Sequence, residues 1–446
     1  MRNSKRRRTI ELLKDGLIVL LICSALWLAA QTQLLGPFRG LFREERTQAS
    51  PGQSQSGERV GAALPMAMAV NLPGGEGPEL PGGQGERYGV QYDQAACEAL
   101  FRQVAGPLAE TLSSAGTPRA VSREEWEQAL TASLGIYMDF QGEMPISVLT
   151  NWLSGGVSRL DTVARKLVLT VQEEGVALYY RSEEDGGYYC CQSQVVDAQA
   201  LAGTLSGMTG NGTFFAFESE LYEALEPDTL LPAAAPAPGT YTASNPVTGG
   251  QGTLEEIVGD LGFSLNSTSF YSAGEQVARS GDDNVRLSDR GVLLYTAGED
   301  SGRYPVADRE GGGALTESVE ACRQLAAAAL LPRCGEARLY LISALPVPGG
   351  WDIDFGYSLN GLPVHLDGGS AASFQVRDGA VVQFVLRFRA YASAGAPSLV
   401  LPPRQAAAAL TAKGLAGEEL LLTYTDAGGD ILSAGWSARD SGAGEG

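Results

Sequence analysis

The sequence predicts an α+β protein: one N-terminal transmembrane helix followed by two extracytoplasmic domains of antiparallel sheet with packed helices. Three observations predict it. An uncharged run, "GLIVLLICSALWLAAQTQLLGPF", occupies residues 16–38 behind a basic tail. Two Gly/Pro-rich stretches, at 39–87 and 230–252, divide the rest of the 446-residue chain into bodies long enough to bury their own cores. Within each body, short segments of alternating apolar residues end at glycine turns and share the chain with segments of helical period.

The anchor is the first element. About 20 apolar residues cross a bilayer core, and Gly16, Leu17, Ile18, Val19, Leu20, Leu21, Trp27 and Leu28 carry this run. Residues 1–15 hold six basic side chains against two acidic ones. By the positive-inside tendency, that tail stays cytoplasmic and the remainder lies outside. A cleaved leader is the rival reading. It fits poorly, because cleavage after Ala29 or Ala30 would place Trp27 or Leu28 where a small residue is needed. Gly16, Ser24, Ala25 and Ala29 are small enough to let a second membrane helix approach, although ordinary anchor composition gives the same residues.

After the anchor, 39–87 reads as a flexible tether too polar and Gly-rich to offset its ordering entropy. The first body, 88–229, opens with a helix over Asp93–Ser113. Ser122 and Glu125 are spaced as a capping box for a second helix. "LGIYMDF" reads as a strand, "PISVLTNWLSG" as a helix begun by Pro145, and "ARKLVLTVQEEGVALYYRS" with "GYYCCQSQV" as a meander before a helix at "DAQALAGTLSGM". After the 230–252 linker, the second body, 253–438, begins with a helix at "TLEEIVGDLGF". It continues through strands at "NVRLSDRGVLLYTAG", an Ala-rich helix at "LTESVEACRQLAAAALL", and a run of antiparallel strands interrupted by a helix at "PRQAAAALTAK". Residues 439–446 form a tail. A weak echo recurs at "EEGVALYY", "SDRGVLLYT" and "VRDGAVVQFV", where a glycine supplies the positive φ of a tight hairpin.

Composition excludes more than it assigns. The formal net charge is −20, and removing the basic tail leaves an even more acidic body, which gains nothing from phosphate neutralisation; nucleic acid is not an expected partner. None of the six cysteines forms a CxxC pair, so zinc has no support. Cys322 and Cys334 are the candidate disulfide, provided their Cα atoms come within bridging distance. Cys190 and Cys191 point to opposite faces of a strand. The four tryptophans outside the anchor read as core anchors. No GxSxG, SxxK or GxxxxGK[ST] motif occurs, "SGDDNVRLSDRG" lacks calcium-loop spacing, and no cofactor is expected. Asn211-Gly-Thr and Asn266-Ser-Thr match a glycosylation acceptor. The one histidine, His365, sits on a strand between Val364 and Leu366, and Asp352 and Asp354 share a strand face in "WDIDFG".

"IYMDFQGEMPISVLTNWL" at 136–153 begins a set of segments that resemble the YycH/YycI family, membrane-anchored regulators of an essential two-component histidine kinase in Gram-positive bacteria. It is similar to the strand-to-helix passage of the family's N-terminal domain. "LGFSLNSTSFYSAGEQV" with "VRLSDRGVLLYTAGE" is similar to the passage into the second domain. "IDFGYSLNGLPVHLDGGSAASFQVRDGAVVQFVLRFRAY" and "LLLTYTDAGGDILSAGWSA" are similar to its C-terminal sheet and closing strands. The resemblance covers most of the chain. It implies a non-enzymatic regulator whose partner is a sensor histidine kinase, with a paralogous membrane-anchored regulator as a second partner, and it brings no catalytic residues. The alternative expectation is an extracytoplasmic ligand-binding or cell-envelope-modifying protein with a site around Asp352, Asp354, Tyr357, His365 and Arg387.

Overall fold

A computed structural model describes residues 58–73, 86–173, 175–247, 251–263, 268–272, 275–299, 301–306 and 313–439. The anchor run at 16–38, with Gly16, Ser24, Ala25, Leu28 and Ala29 in it, the tail from 440 onward and the Asn266 acceptor all lie outside the described residues. Among the described residues no helix is long and apolar enough to cross a membrane.

The first sheet contains β1 (Ala67–Leu72), β2 (Glu86–Gln91), β3 (Arg119–Val121), β4 (Gly135–Pro145), β5 (Val163–Gln172), β6 (Gly175–Arg181) and β7 (Tyr188–Ser193), in the order β2-β1-β4-β5-β6-β7-β3. Every pairing in it is antiparallel. Its central strands are apolar on both sides because both faces are covered. Met138, Leu167, Leu178 and Cys191 face α1 (Gln94–Ser114), α3 (Ile146–Ser154) and α4 (Ala198–Leu205). Tyr137, Val168, Ala177 and Cys190 face the other way, toward Trp126 of α2 (Arg123–Thr131), Phe215 of β8 (Phe214–Phe215) and Leu230 of β9 (Leu230–Leu231). The vicinal cysteines therefore sit on opposite faces, as strand geometry requires.

Helix starts follow local chemistry. Asp93 caps α1 by accepting from Ala96 N at 3.1 Å. Ser122 caps α2 by accepting from Glu125 N at 3.2 Å. The reciprocal half of that capping box does not form, since the Glu125 carboxylate is drawn to Arg119.

The remaining strands are β10 (Gly239–Ser244), β11 (Thr268–Ser272), β12 (Glu275–Ser280), β13 (Asp283–Ser288), β14 (Val292–Thr296), β15 (Arg338–Val347), β16 (Gly350–Leu359), β17 (Leu362–Leu366), β18 (Ala372–Arg377), β19 (Ala380–Arg387), β20 (Ala390–Pro397), β21 (Glu419–Asp426), β22 (Ile431–Leu432) and β23 (Ala434–Arg439). The large sheet runs β11-β12-β13-β14-β19-β18-β16-β17-β21-β23, with β15 on the other edge of β16. One pairing in it, β17 with β21, is parallel, where the sequence reads as antiparallel throughout. Asp378-Gly379 and Asn360-Gly361 turn their hairpins with φ of 49° and 76°, and of 49° and 83°, the double positive φ of a type I′ turn. α5 (Gln251–Asp260) and α6 (Gly313–Leu330) belong to this half, and Val319, Cys322 and Ala326 of α6 share a core with Ile353, Phe355 and Tyr357 of β16. α7 (Pro403–Ala412) packs through Ala406, Ala407 and Leu410 against Leu420 of β21.

Two boundaries differ from the sequence expectation. The tether does not extend to 87: β1 is buried, pairs with both β2 and β4, and lies inside the first sheet. The short apolar run "MAMAVNL" is flanked by Gly/Pro-rich segments whose composition masked it. Nor is 230–252 a free linker. β10 pairs with β20 and β22, with Tyr241 and Ala243 buried. Residues of both large sheets enter one continuous core.

The two sheets approach closely at Gly142 of β4, where a Cβ would collide with the backbone oxygen of Leu341 on β15. Gly142→Ala is expected to destabilise the protein by about 1–3 kcal/mol through forced backbone displacement. Gly203→Ala, on the exposed face of α4 with nothing near its Cβ position, is expected to stabilise by up to about 1 kcal/mol. Urea denaturation of the two variants checks the contrast.

Candidate functional site

The sheets meet at a buried cluster of charge. On β4, Asp139 precedes a bulge in which Gln141 adopts φ of 60°. Asp139 holds that left-handed turn by accepting from Gln141 N at 2.8 Å and from Gln141 Nε2 at 2.9 Å. The same carboxylate receives the fork of Arg165 from β5, at 2.8 Å and 2.5 Å. The third nitrogen of Arg165 reaches across to Glu419 on β21 of the other sheet. Lys166 donates to Asp228 at 2.7 Å and lies 3.4 Å from Glu419. All five side chains are nearly inaccessible to water.

Burial opposes ionisation of Glu419, but Arg165 and Lys166 outweigh it and pull its pKa from 4.5 to about 2. Burial likewise opposes the charge on Arg165, and Asp139 and Glu419 more than restore it, holding its pKa well above the usual value.

Beside this cluster, a cleft of about 540 Å³ opens on the helix-free face of the large sheet. Tyr340, Gly356, His365, Leu366 and Arg439 line it, and Gln141 reaches it from the first sheet. Arg439 Nη1 donates to Gln141 O at 2.7 Å, a further bond between the sheets. His365 is exposed as a residue, yet its ring lies against the cleft wall, where burial and then Arg439 lower its pKa.

The five residues of the alternative site do not converge. Asp352 is engaged by Arg377 Nη2 at 2.6 Å. Asp354 shares its strand face and the electrostatic neighbourhood of Arg387, whose Nη1 donates to Ser370 O at 2.8 Å. Tyr357 points to the opposite, core face and donates to Arg387 O at 2.9 Å. Only His365 reaches the cleft.

Cys322 and Cys334 are free buried thiols, so the candidate disulfide is corrected. Cys322 packs on the core side of α6, while the Cys334 thiol donates to Ala337 O at 3.2 Å; burial pushes the Cys334 pKa up to about 11. Asn211 is engaged as well: its amide pairs with both N and O of Gly89, so the glycosylation nitrogen is occupied by a strand edge. Among the described residues no group of His, Cys, Asp and Glu is arranged to hold a metal ion.

Sequence reading missed Arg165, Lys166, Asp139, Glu419 and Arg439. One signal was present: "ARKLVLTV" puts two adjacent cations at the start of an apolar strand, in a chain nearly devoid of lysine.

No family model matches the chain, and no curated protein sequence matches it. Among solved structures, the crystal structure of YycH from Bacillus subtilis superposes with a TM-score of 0.52 at 10% identity, over 85% of this chain and 94% of that one. The fold is YycH-like. The match spans both halves of the YycH-like body and agrees with the α+β class read from sequence.

The Glu419 pKa lies below its unfolded value, so its contribution to stability is full above about pH 4.5 and is lost as the pH falls from there toward 2. Thermal melting at pH steps from 6 to 3 should show the melting temperature falling with acidification. Glu419→Gln, already less stable at neutral pH, should show a shallower fall; parallel curves for the two proteins would contradict the assignment.

Proposed function

We propose that this chain is a membrane-held, extracytoplasmic, non-enzymatic regulator that modulates a sensor histidine kinase through contacts of its transmembrane helix and its external body. The observation that carries this reading is the YycH-like fold of the whole body, matched over 94% of YycH. The uncharged run at 16–38 behind a basic tail supports the anchor and its orientation. The absence of convergence among Asp352, Asp354, Tyr357 and His365 removes the support that sequence gave to an enzyme-like site.

In this reading the helix packs against a kinase membrane helix through Gly16, Ser24, Ala25 and Ala29. The external body then biases the kinase between states by binding one of them more tightly. A paralogous anchored regulator is a candidate second partner. The chain enters the body at Glu58, and Arg59 is tied at once to Glu320 of α6, at 3.1 Å. Glu320 also accepts from Trp152 of α3, at 3.1 Å, and from Arg323.

Co-purification from detergent-solubilised membranes of the source cell should recover a histidine kinase with the full chain, and severalfold less when 16–38 is replaced by an unrelated apolar helix. Equal recovery after the swap would rule out helix packing as the contact, and release of the chain into the medium would overturn the anchored reading.

A further inference from the structure

The cleft beside the charge cluster is short of negative charge, although the chain as a whole carries −20. Arg439 uses one nitrogen on Gln141 O, and no other partner for its guanidinium is found among the described residues. Burial, followed by the nearby Arg165, lowers its pKa against the opposing pull of Glu419, Asp139 and Glu183. His365 is disfavoured as a cation by burial and by Arg439 itself. The buried carboxylates that act on Arg439 are already committed, Asp139 to Arg165 and Gln141, and Glu419 to Arg165 and Lys166; half-buried Glu143 and exposed Glu183 feel its charge without an ion pair to it among the described residues.

Apart from the Gln141 Oε1, a buried acceptor without a partner, the rest of the wall is largely apolar or self-satisfied. Tyr340 lies across Gly356, where the missing side chain makes room for its ring, and Ile342 and Leu366 extend the apolar surface. The hydroxyls of Thr423 and Ser437 are spent on each other, at 3.1 Å, and on Leu421 O. An opening of this size with one under-neutralised guanidinium fits a small ligand better than bulk water. A guanidinium fork pairs most strongly with a carboxylate.

We propose that this cleft binds a carboxylate carried on an apolar body, with Arg439 pairing the carboxylate, His365 flanking it, and Tyr340, Ile342 and Leu366 covering the apolar part. The site is independent of the kinase reading: either can fail alone.

His365 is the only histidine, so the full chain labelled with ¹³C at histidine Cε1 gives one ring signal that reports on the cleft. The probes are 4-phenylbutyrate and, as its uncharged match, 4-phenylbutan-1-ol. The expected result is a saturable shift with the acid, at a dissociation constant of about 1 mM or tighter, and binding of the alcohol weaker by about tenfold or more. Acetyl-Ala-Phe as free acid and as amide forms a parallel arm, in which tighter binding of the peptide acid than of phenylbutyrate identifies a peptide terminus as the source and the reverse order identifies a free apolar acid.

Arg439→Gln should abolish the preference for acid over alcohol. Leu366→Trp, which fills the cleft from another wall, should weaken both probes. Melting curves confirm that each variant folds. Should Arg439→Gln not fold, Arg439→Lys, which keeps the charge but loses the fork, is expected to reduce the preference severalfold. Equal responses to acid and alcohol in the parent protein, no response to either up to about 10 mM, or a preference that survives in the Arg439 variant, would each overturn the proposal.

Discussion

The bond from Arg165 to Glu419 is the constraint on which the arrangement of the two sheets depends. Arg165 belongs to β5 of the first sheet, Glu419 to β21 of the second, and both are buried. Desolvating two ions is expensive, and their attraction repays it only when the remaining donors and acceptors are also satisfied. Here Asp139 takes the other two nitrogens of Arg165, and Lys166 closes the circuit between Glu419 and Asp228. Losing one partner would leave an uncompensated charge in the interior, at a cost of about 3–5 kcal/mol. A hydrophobic contact of the same area would tolerate sliding. The fork to Asp139 fixes the guanidinium within the first sheet, so its remaining nitrogen meets Glu419 at one place and the cluster sets register as well as proximity.

The cluster also explains an otherwise costly piece of backbone. Gln141 holds a positive φ that a non-glycine residue adopts reluctantly. Asp139, oriented by Arg165, accepts from both the main-chain and side-chain nitrogens of Gln141 and so stabilises the turn. The bulge that results presents Gly142 to β15 and the carbonyl of Gln141 to Arg439. One carboxylate thus shapes the strand, neutralises the arginine and sets where the second sheet can rest. A similar economy operates at the entry of the chain, where Glu320 gathers Arg59, Trp152, Arg323 and Gln324. Burial opposes its charge, yet Arg323 and the other partners lower its pKa to about 2.

The class of the fold and nearly every helix were legible in the sequence because they depend on local chemistry. Asp93 and Ser122 announce their caps, Pro145 precedes α3, and Asp378-Gly379 dictates its turn. Legibility stopped where the deciding partner is remote. β1 is a strand because β2 and β4 flank it, and its six residues are too few to stand out between Gly/Pro-rich neighbours. β17 pairs in parallel with β21, which is more than fifty positions away in the chain. Tyr357 and His365 looked like neighbours by number but point to opposite faces of one sheet. Arg165 and Glu419 are separated by 254 positions, and no local pattern pairs them.

That separation bears on how the two sheets and the cleft are coupled. Arg439 stands in two settings at once: its guanidinium lines the cleft, and the Gln141 carbonyl that it binds is two residues from Asp139 in the charge cluster. Arg165 acts on Arg439 as a repelling like charge, whereas Glu419 and Asp139 attract it. An anion placed against Arg439 would relieve that repulsion and compete for the cation with the carboxylates that join the sheets. Any preference of the anion for one relative position of the sheets would, by linkage, be matched by an equal effect of sheet position on anion affinity. The element with two sides is therefore a single guanidinium between a cleft and a joint, and any coupling between the two reduces to how strongly they compete for it.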